Sequence, residues 1–220
     1  MVLLDIACTT VEDALHAEQG GANSLELSVD LAADGLTPSL ACVQTVRQQV
    51  RIPLHVILRV HARNFVYNHT EKASMLADSR AIAPFCDGFV VGALLNDQSF
   101  DVAWIHVLAE VLPTHRLTLH RALDHANNPG ETLERLQGVA HRVLASGSLT
   151  TAWDGRETLC NWVQRFGSLY SFVAAGSVNH ETIAALVAET GVHECHAARA
   201  VRRDGIVAAD LVRELRERTL

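Results

Sequence analysis

Residues 54–59 read Leu-His-Val-Ile-Leu-Arg, an apolar strand-like run that carries a histidine near one end and an arginine at the other. Alternate side chains of a strand point to opposite faces, so His55 and Arg59 lie opposite Leu54 and Leu58. Taking a charge out of water is costly unless the charge is paired. The run therefore predicts a strand with one apolar face and one face that looks into an enclosed polar space.

Two further apolar runs repeat this pattern, with Glu26 between two leucines and His120 at the end of residues 117–120. Strand-like and helix-like segments alternate along the whole chain. The predicted strands are residues 2–7, 24–29, 53–60, 86–92, 115–121, 141–146, 169–175 and 192–197. Eight strand–helix units in one chain favour a (β/α)8 TIM barrel over an open doubly wound sheet.

Helical patterns occupy the segments between these strands. They are clearest at residues 10–19, 39–49, 70–83, 100–111 and 179–189, and an amphipathic helix is predicted at the C-terminus over residues 207–219. The chain is short for this barrel, so most loops after strands should be brief, with the segment 61–69 after the third strand as the long one. We expect residues 1–220 to form a single TIM-barrel domain.

Composition narrows the class of protein further. The net charge is −7 and no basic stripe is present, which argues against a nucleic-acid or anionic-membrane partner. Five cysteines are an odd number without a CxxC pair, a pattern typical of free thiols in a reducing cytoplasm. No uncharged apolar run approaches the length of a membrane span. A soluble cytoplasmic protein without membrane partners is expected.

In a TIM barrel the chemistry lies at the C-terminal ends of the strands. The polar residues predicted to face inwards there are Asp5, Glu26, Ser28, His55, Arg59, Thr118, His120, Ser146, Glu194 and His196. Neighbouring strands predict that Glu26 pairs with Arg59 and Asp5 with His196. A guanidinium lowers the pKa of a nearby carboxyl group, so Glu26 is expected to orient Arg59, and His120 is the better candidate for proton transfer.

Several groups near the predicted barrel mouth favour an anionic ligand. Arg59 and Arg63 carry guanidinium groups, and the backbone N–H groups of the turns at 146–148 and 175–177 stand where barrel enzymes often bind phosphate. Two interpretations follow. One is an enzyme of lyase, isomerase or hydrolase type that acts on a small anionic metabolite, with or without a phosphate group. The other is a set of ion pairs that merely fills the barrel.

Residue patterns give little support to a metal centre. His193 and His196 are three residues apart on a strand and point to opposite faces, so they cannot chelate one ion together. Copper(I) prefers thiolate or thioether ligands. The alternation along the first strand predicts that the Cys8 side chain points outwards, away from the barrel interior. The metal ligands therefore stay unassigned.

Blocks of this sequence resemble the copper homeostasis protein CutC family. They are residues 20–27, 35–39, 52–59, 64–67, 119–124, 142–147 and 194–199, in the family's order and spacing. The resemblance implies a cytoplasmic TIM barrel, often a homodimer, linked by name to copper homeostasis and copper binding. Positions that match the family are Glu26, Arg59, His120, Arg121, Asp124, Ser146, Gly147 and His196.

The residues and the resemblance together predict a functional site. Its catalytic residues are expected to be His120, Glu26, Asp124 and His196, and its binding residues Arg59, Arg63, Arg121, Ser146, Gly147 and Gly176. Its ligand is either a small anion or a copper ion. Two cysteines of the family fall on Ala7 and Ser28, which weakens the expectation of copper binding here.

Overall fold

A closed barrel of eight parallel strands forms the centre of the computed structural model, which describes residues 2–219. The strands are β1 (Leu3–Cys8), β2 (Ser24–Leu27), β3 (Leu54–Ile57), β4 (Gly88–Val91), β5 (Arg116–Leu119), β6 (Arg142–Ala145), β7 (Ser171–Ala174) and β8 (Glu194–Ala197). Each strand pairs with the next along the chain, and β8 pairs with β1. Every predicted strand overlaps one of these, so the TIM-barrel prediction is confirmed.

A helix follows each strand. The helices are α1 (Val11–Gly20), α2 (Leu40–Gln49), α3 (His69–Ile82), α4 (Val102–Val111), α5 (Pro129–Arg135), α6 (Arg156–Phe166), α7 (Ile183–Thr190) and α8 (Ala209–Glu217). A hairpin of β9 (Arg202–Arg203) and β10 (Ile206–Val207) precedes α8. The predicted C-terminal helix is thus present, and it packs so closely on α1 that a Cβ on Gly20 would lie 2.5 Å from that of Val212.

Helix starts follow from local side-chain chemistry. Thr10 and Ser39 accept hydrogen bonds from backbone N–H groups in the first turns of α1 and α2, and Asn68 forms a reciprocal capping box with Glu71 at the start of α3. Pro129 occupies the first turn of α5, where its missing N–H costs nothing. These caps fix the points at which the loops above the barrel end.

The apolar core lies between the barrel and its ring of helices. Outward-facing strand residues that are fully buried there include Leu4, Ile6, Cys8, Leu25, Leu27, Leu54, Val56, Phe89, Val91, Leu119 and Val143. The inward face is polar in its middle layers, as the alternation in the sequence predicted. Within residues 2–219, no helix has both the length and the apolar character required to cross a membrane.

Loops at the C-terminal ends of the strands surround the barrel mouth. The loop after β3, residues 58–68, is long as predicted, whereas only residues 9–10 connect β1 to α1. Residues 28–39, 92–101, 146–155 and 198–208 form further long connections. The expectation that the loops after the other strands are brief is therefore wrong, because the barrel strands are only four to six residues long and leave more of the chain for these connections.

Candidate functional site

A cavity of about 450 Å³ opens at the C-terminal end of the barrel. Its size lies in the range of small-molecule sites, roughly 300–1,000 Å³. Glu26, Arg59, His120 and His196 all line it. The structure therefore brings together four side chains that the sequence had placed on one inward face.

Barrel closure creates the contact between Asp5 and His196. β1 and β8 are register partners at these residues, and His196 Nδ1 lies 2.7 Å from Asp5 Oδ2, as predicted. Burial alone would raise the pKa of Asp5, but hydrogen bonds from His196 and His55 hold it well below its usual range. Burial would lower the pKa of His196, yet the carboxylates of Glu26 and Asp5 hold it above its ordinary value. The pair is thus a carboxylate hydrogen-bonded to an imidazole whose pKa is raised.

Arg142 forms the floor beneath this pair, and the sequence interpretation missed it. Its guanidinium forms an ion pair with Glu194, lies 3.1 Å from His55 Nδ1 and 3.3 Å from Thr118 Oγ1, and approaches Asp5 Oδ1 to 3.6 Å. Arg142 is four residues before the inward-facing residue 146, so the same alternation would have found it. This floor is an ion-pair network that holds Asp5 in place.

Glu26 lies on β2 opposite Ala7, with only 8% of its surface exposed. The predicted pairing with Arg59 is wrong, since no described residue forms a hydrogen bond or ion pair with the Glu26 carboxyl group. Burial raises the pKa of Glu26, whereas pairing with Arg59 would have lowered it. Glu26 is therefore an unpartnered carboxyl group at the cavity surface.

Backbone carbonyl groups, and not carboxylates, hold Arg59. Its Nη1 donates to the carbonyl oxygens of Ala33 (2.5 Å) and Gly35 (3.2 Å), in the loop after β2. The Phe65 ring packs on the guanidinium with its centroid 4.9 Å away. In the described part of the chain Arg59 Nε is buried without a hydrogen-bond partner, as is Ser28 Oγ. The positive charge of Arg59 is not neutralised by an adjacent acid and faces the cavity.

His120 directly follows β5, and its Nδ1 accepts a hydrogen bond from the N–H of Ala122 at 3.1 Å. The proton of the neutral ring is therefore on Nε2, which has no partner among the described residues. Burial and the charge of Arg59 lower the pKa of His120 to about 3. The lowered pKa disfavours the protonated ring near neutral pH and places His120 as a hydrogen-bond donor, and its role in proton transfer stays a prediction.

Asp124 is structural. Its side chain is fully buried, lies outside the described cavity lining, and accepts hydrogen bonds from the backbone N–H groups of Ser146 (2.9 Å) and Gly147 (3.0 Å) and from Arg121 Nε (3.1 Å). The predicted catalytic role of Asp124 does not fit this placement. The two amides expected to bind an anion already have a carboxylate acceptor inside the protein.

The remaining predicted residues divide between the cavity and the surface. Arg121 and Gly176 line the cavity, and Arg199, which the sequence interpretation did not select, lies with them. Arg63 does not belong to the cavity; it is mostly exposed and forms an ion pair with Glu71 on α3. The prediction that Arg63 shares a pocket with Arg59 is wrong because the loop after β3 turns its side chain outwards.

These features define a TIM barrel with a small-molecule cavity at its mouth and an ionic floor beneath it. The CutC family model matches residues 2–201, and the chain belongs to the CutC family. A family protein CutC from Xanthomonas axonopodis pv. citri (strain 306) is 33% identical over 94% of this chain and 86% of its own length. A family protein CutC from Xylella fastidiosa (strain 9a5c) is 35% identical over 88% of this chain and 73% of its own length.

Solved structures show the same fold. The putative copper homeostasis protein CutC from Streptococcus agalactiae superposes with a TM-score of 0.86 at 23% identity, over 92% of this chain and 100% of that chain. Phosphoribosyl anthranilate isomerase from Thermococcus kodakaraensis has a TM-score of 0.67 at 13% identity, over 99% of this chain and 98% of that chain. At these identities the likeness establishes the TIM barrel and nothing about the ligand.

Copper, which the family name implies, does not fit the donor groups of this cavity. Among the described residues the lining contains no cysteine or methionine; Ala7 and Ser28 are there instead. Cys8 is fully buried, its thiol lies 3.6 Å from the carbonyl oxygen of Ile6, and burial raises its pKa well above the ordinary value. A buried thiol that resists ionisation is a poor ligand for Cu(I).

Proposed function

We propose that this protein is an enzyme that acts on a small anionic metabolite in the barrel-mouth cavity. One observation carries the proposal: the lining of a single cavity includes Arg59 and His120, each with a buried hydrogen-bond donor that lacks a partner, together with the carboxyl group of Glu26 and the imidazole of His196. Unpartnered buried polar groups are rare in folded proteins because each costs free energy. A ligand that accepts from these donors removes that cost.

The unpartnered donors support an anionic or carbonyl-bearing ligand. Arg59 Nε and the Nε2–H of His120 both lack acceptors in the described structure, and the Phe65 ring contacts both side chains. A neutral imidazole N–H can polarise a carbonyl oxygen without giving up its proton. Arg121 and Arg199 also line the cavity, each with a carboxylate partner, Asp124 and Asp34 respectively. An anion in the cavity therefore lies beside guanidinium groups and close to the ring that carries this N–H donor.

Two further lining groups support chemistry on that ligand. Glu26 and His196 line the cavity, and their surroundings raise the pKa of both groups. Groups shifted in this way can accept or deliver a proton, directly or through a bound water. Lyase, isomerase and hydrolase reactions all need such a transfer, and we propose one of these classes.

Thermal denaturation in the presence of inorganic phosphate and small carboxylates, with EDTA present throughout, tests the anion-binding part of the proposal. A ligand that binds only the folded state raises the melting temperature. We expect stabilisation of the wild type, loss of that stabilisation in Arg59→Gln, and retention in Arg63→Gln, the matched arginine outside the cavity. Equal stabilisation of wild type and Arg59→Gln would refute the proposal.

A role in copper handling is the second candidate, and the name of the Streptococcus agalactiae protein favours it. The cavity's lack of thiol ligands speaks against Cu(I) there. For the setting of the protein we propose the cytoplasm, supported by five free cysteines, and a homodimer, supported by the family resemblance. The negative net charge supports the absence of nucleic-acid and membrane partners.

A further inference from the structure

Three neighbouring strands bring Asp5, Glu26 and His196 together on the inner face of the barrel. Asp5 and His196 are register partners on β1 and β8, and Glu26 on β2 is the register partner of Ala7, the next inward position after Asp5. Because the side chain of Ala7 is small, the Glu26 carboxyl group can approach the pair. One ligand atom from each of the three residues lies within 4.8 Å of the other two.

Glu26 supplies a second, independent observation. More than nine-tenths of its surface is buried, it lines the cavity, and no described residue gives it a hydrogen bond or an ion pair. The nearby charges of His196 and Arg142 favour the ionised form of Glu26, but neither group forms a hydrogen bond or ion pair with it. Its carboxylate oxygens are therefore free to bind a cation.

The Arg142 guanidinium makes its closest contacts in the floor of the barrel and not with the cluster above it. Arg142 is the guanidinium of the floor, and its close contacts are with Glu194, His55 and Thr118, while Asp5 receives only a 3.6 Å approach. Asp5 instead has short hydrogen bonds with Ser24 (2.5 Å) and His196 (2.7 Å), so the cluster above the floor consists of two carboxyl groups and one imidazole.

We propose that Asp5, Glu26 and His196 bind a first-row divalent cation of the Zn²⁺ or Mn²⁺ type. Two carboxylates and one imidazole are the donors such ions accept, and a site with three protein ligands leaves coordination positions open towards the cavity. The same donor set has no soft ligand for Cu(I). The inference goes beyond the proposed function and does not depend on it.

Metal titration of the EDTA-treated protein tests the site. We expect one Co²⁺ per chain, followed by its visible absorption, and displacement of Co²⁺ by Zn²⁺. Glu26→Gln and His196→Ala should each weaken binding by roughly ten-fold or more. Asp34→Asn and His125→Ala are the matched controls, because they remove a carboxylate and an imidazole that line the same cavity outside the cluster. Both should bind Co²⁺ as the wild type does.

A second variant separates loss of a ligand from loss of fold. Glu26→Asp keeps the carboxylate one methylene further back, so binding should be weakened but retained, and circular dichroism should show an unchanged fold for every variant. Failure of the wild type to bind Co²⁺ stoichiometrically, or equal affinity of the wild type and a folded Glu26→Gln, would overturn the proposal. The thermal denaturation of wild type and Arg59→Gln with anions is carried out in EDTA, so its outcome does not depend on whether the protein binds a metal ion.

Discussion

His120 owes its neutral state to the surroundings of its two ring nitrogens. The N–H of Ala122 donates to Nδ1, and Nε2 lies buried near the positive charge of Arg59. Gly92 leaves the space for the ring, because a Cβ at that position would lie 2.6 Å from His120 Cε1. A protonated ring would have to displace the Ala122 amide, so protonation and the local backbone compete.

The neutral His120 predicts a pH dependence of stability. Its folded pKa, about 3, lies below the unfolded value of roughly 6.5, so the stability it contributes is fully present above pH 6.5 and is lost as the pH falls towards 3. Between pH 8 and pH 5 the loss should be about 2 kcal/mol. Urea denaturation at both pH values measures this loss of unfolding free energy. The loss should be smaller in His120→Gln and unchanged in the exposed control His193→Gln.

An NMR titration gives the same test directly. The ring resonances of His120 should stay those of the neutral Nε2–H tautomer from pH 8 down to pH 5. A midpoint for His120 between pH 6 and pH 7 would show that the ring is not held neutral and would support its predicted role in proton transfer.

Residue alternation in the sequence correctly placed Glu26, Arg59, His120 and His196 at one cavity. It could not supply their partners, because alternation gives the face of a strand and not the rotamer of a side chain. The Arg59 side chain turns to carbonyl groups of the loop after β2, so Glu26 is left without it. The contact between Asp5 and His196 was predictable because strand register alone determines it.

At the scale of elements, Asp124 joins two successive strand–helix units. It lies in the short 3-10 turn after β5, and its carboxylate accepts the first backbone N–H groups after β6, at Ser146 and Gly147. Gly147 has φ +69°, and a Cβ there would lie 2.5 Å from the carbonyl oxygen of Gly155. The loop after β6 is thus anchored by one buried carboxylate.

Asp124→Ala should lower the free energy of unfolding by about 3 kcal/mol, because it leaves two buried amides and Arg121 without their acceptor. Asp124→Asn retains one side-chain oxygen and should cost less. Urea denaturation of both variants measures the difference. Wild-type stability of Asp124→Ala together with loss of ligand turnover would instead support the catalytic role predicted from the sequence.

The strands were predictable as elements and most of the loops were not. Short apolar runs between turn signals mark strands reliably when eight of them recur along one chain. Residues 28–39 lack a periodic pattern of apolar residues. The connection contains a 3-10 turn and residues with positive φ angles, namely Asp30, Asp34 and Gly35. Hydrogen bonds to Arg59 shape this loop, and those contacts are not local in sequence.

For the molecule as a whole, the ring of helices decides what the thiols can do. Cys8 and Cys195 lie on strands and point away from the cavity into the apolar core, where burial raises the pKa of Cys195 to about 12. Cys42, Cys86 and Cys160 are partly buried outside the barrel. The five thiols therefore lie apart from the ionic interior, and the barrel separates them from any ligand at its mouth.

We therefore expect only weak binding of copper by the intact protein. Anaerobic titration with Cu(I) against a competing chelator should show no stoichiometric complex, and Cys8→Ala should change nothing. Ala7→Cys combined with Ser28→Cys restores the cysteines of the family at two positions that line the cavity, and this double variant should acquire Cu(I) affinity. A tight wild-type complex that is abolished by Cys8→Ala would mean that the thiol reaches copper despite its burial, and the exclusion of copper from this barrel would then be wrong.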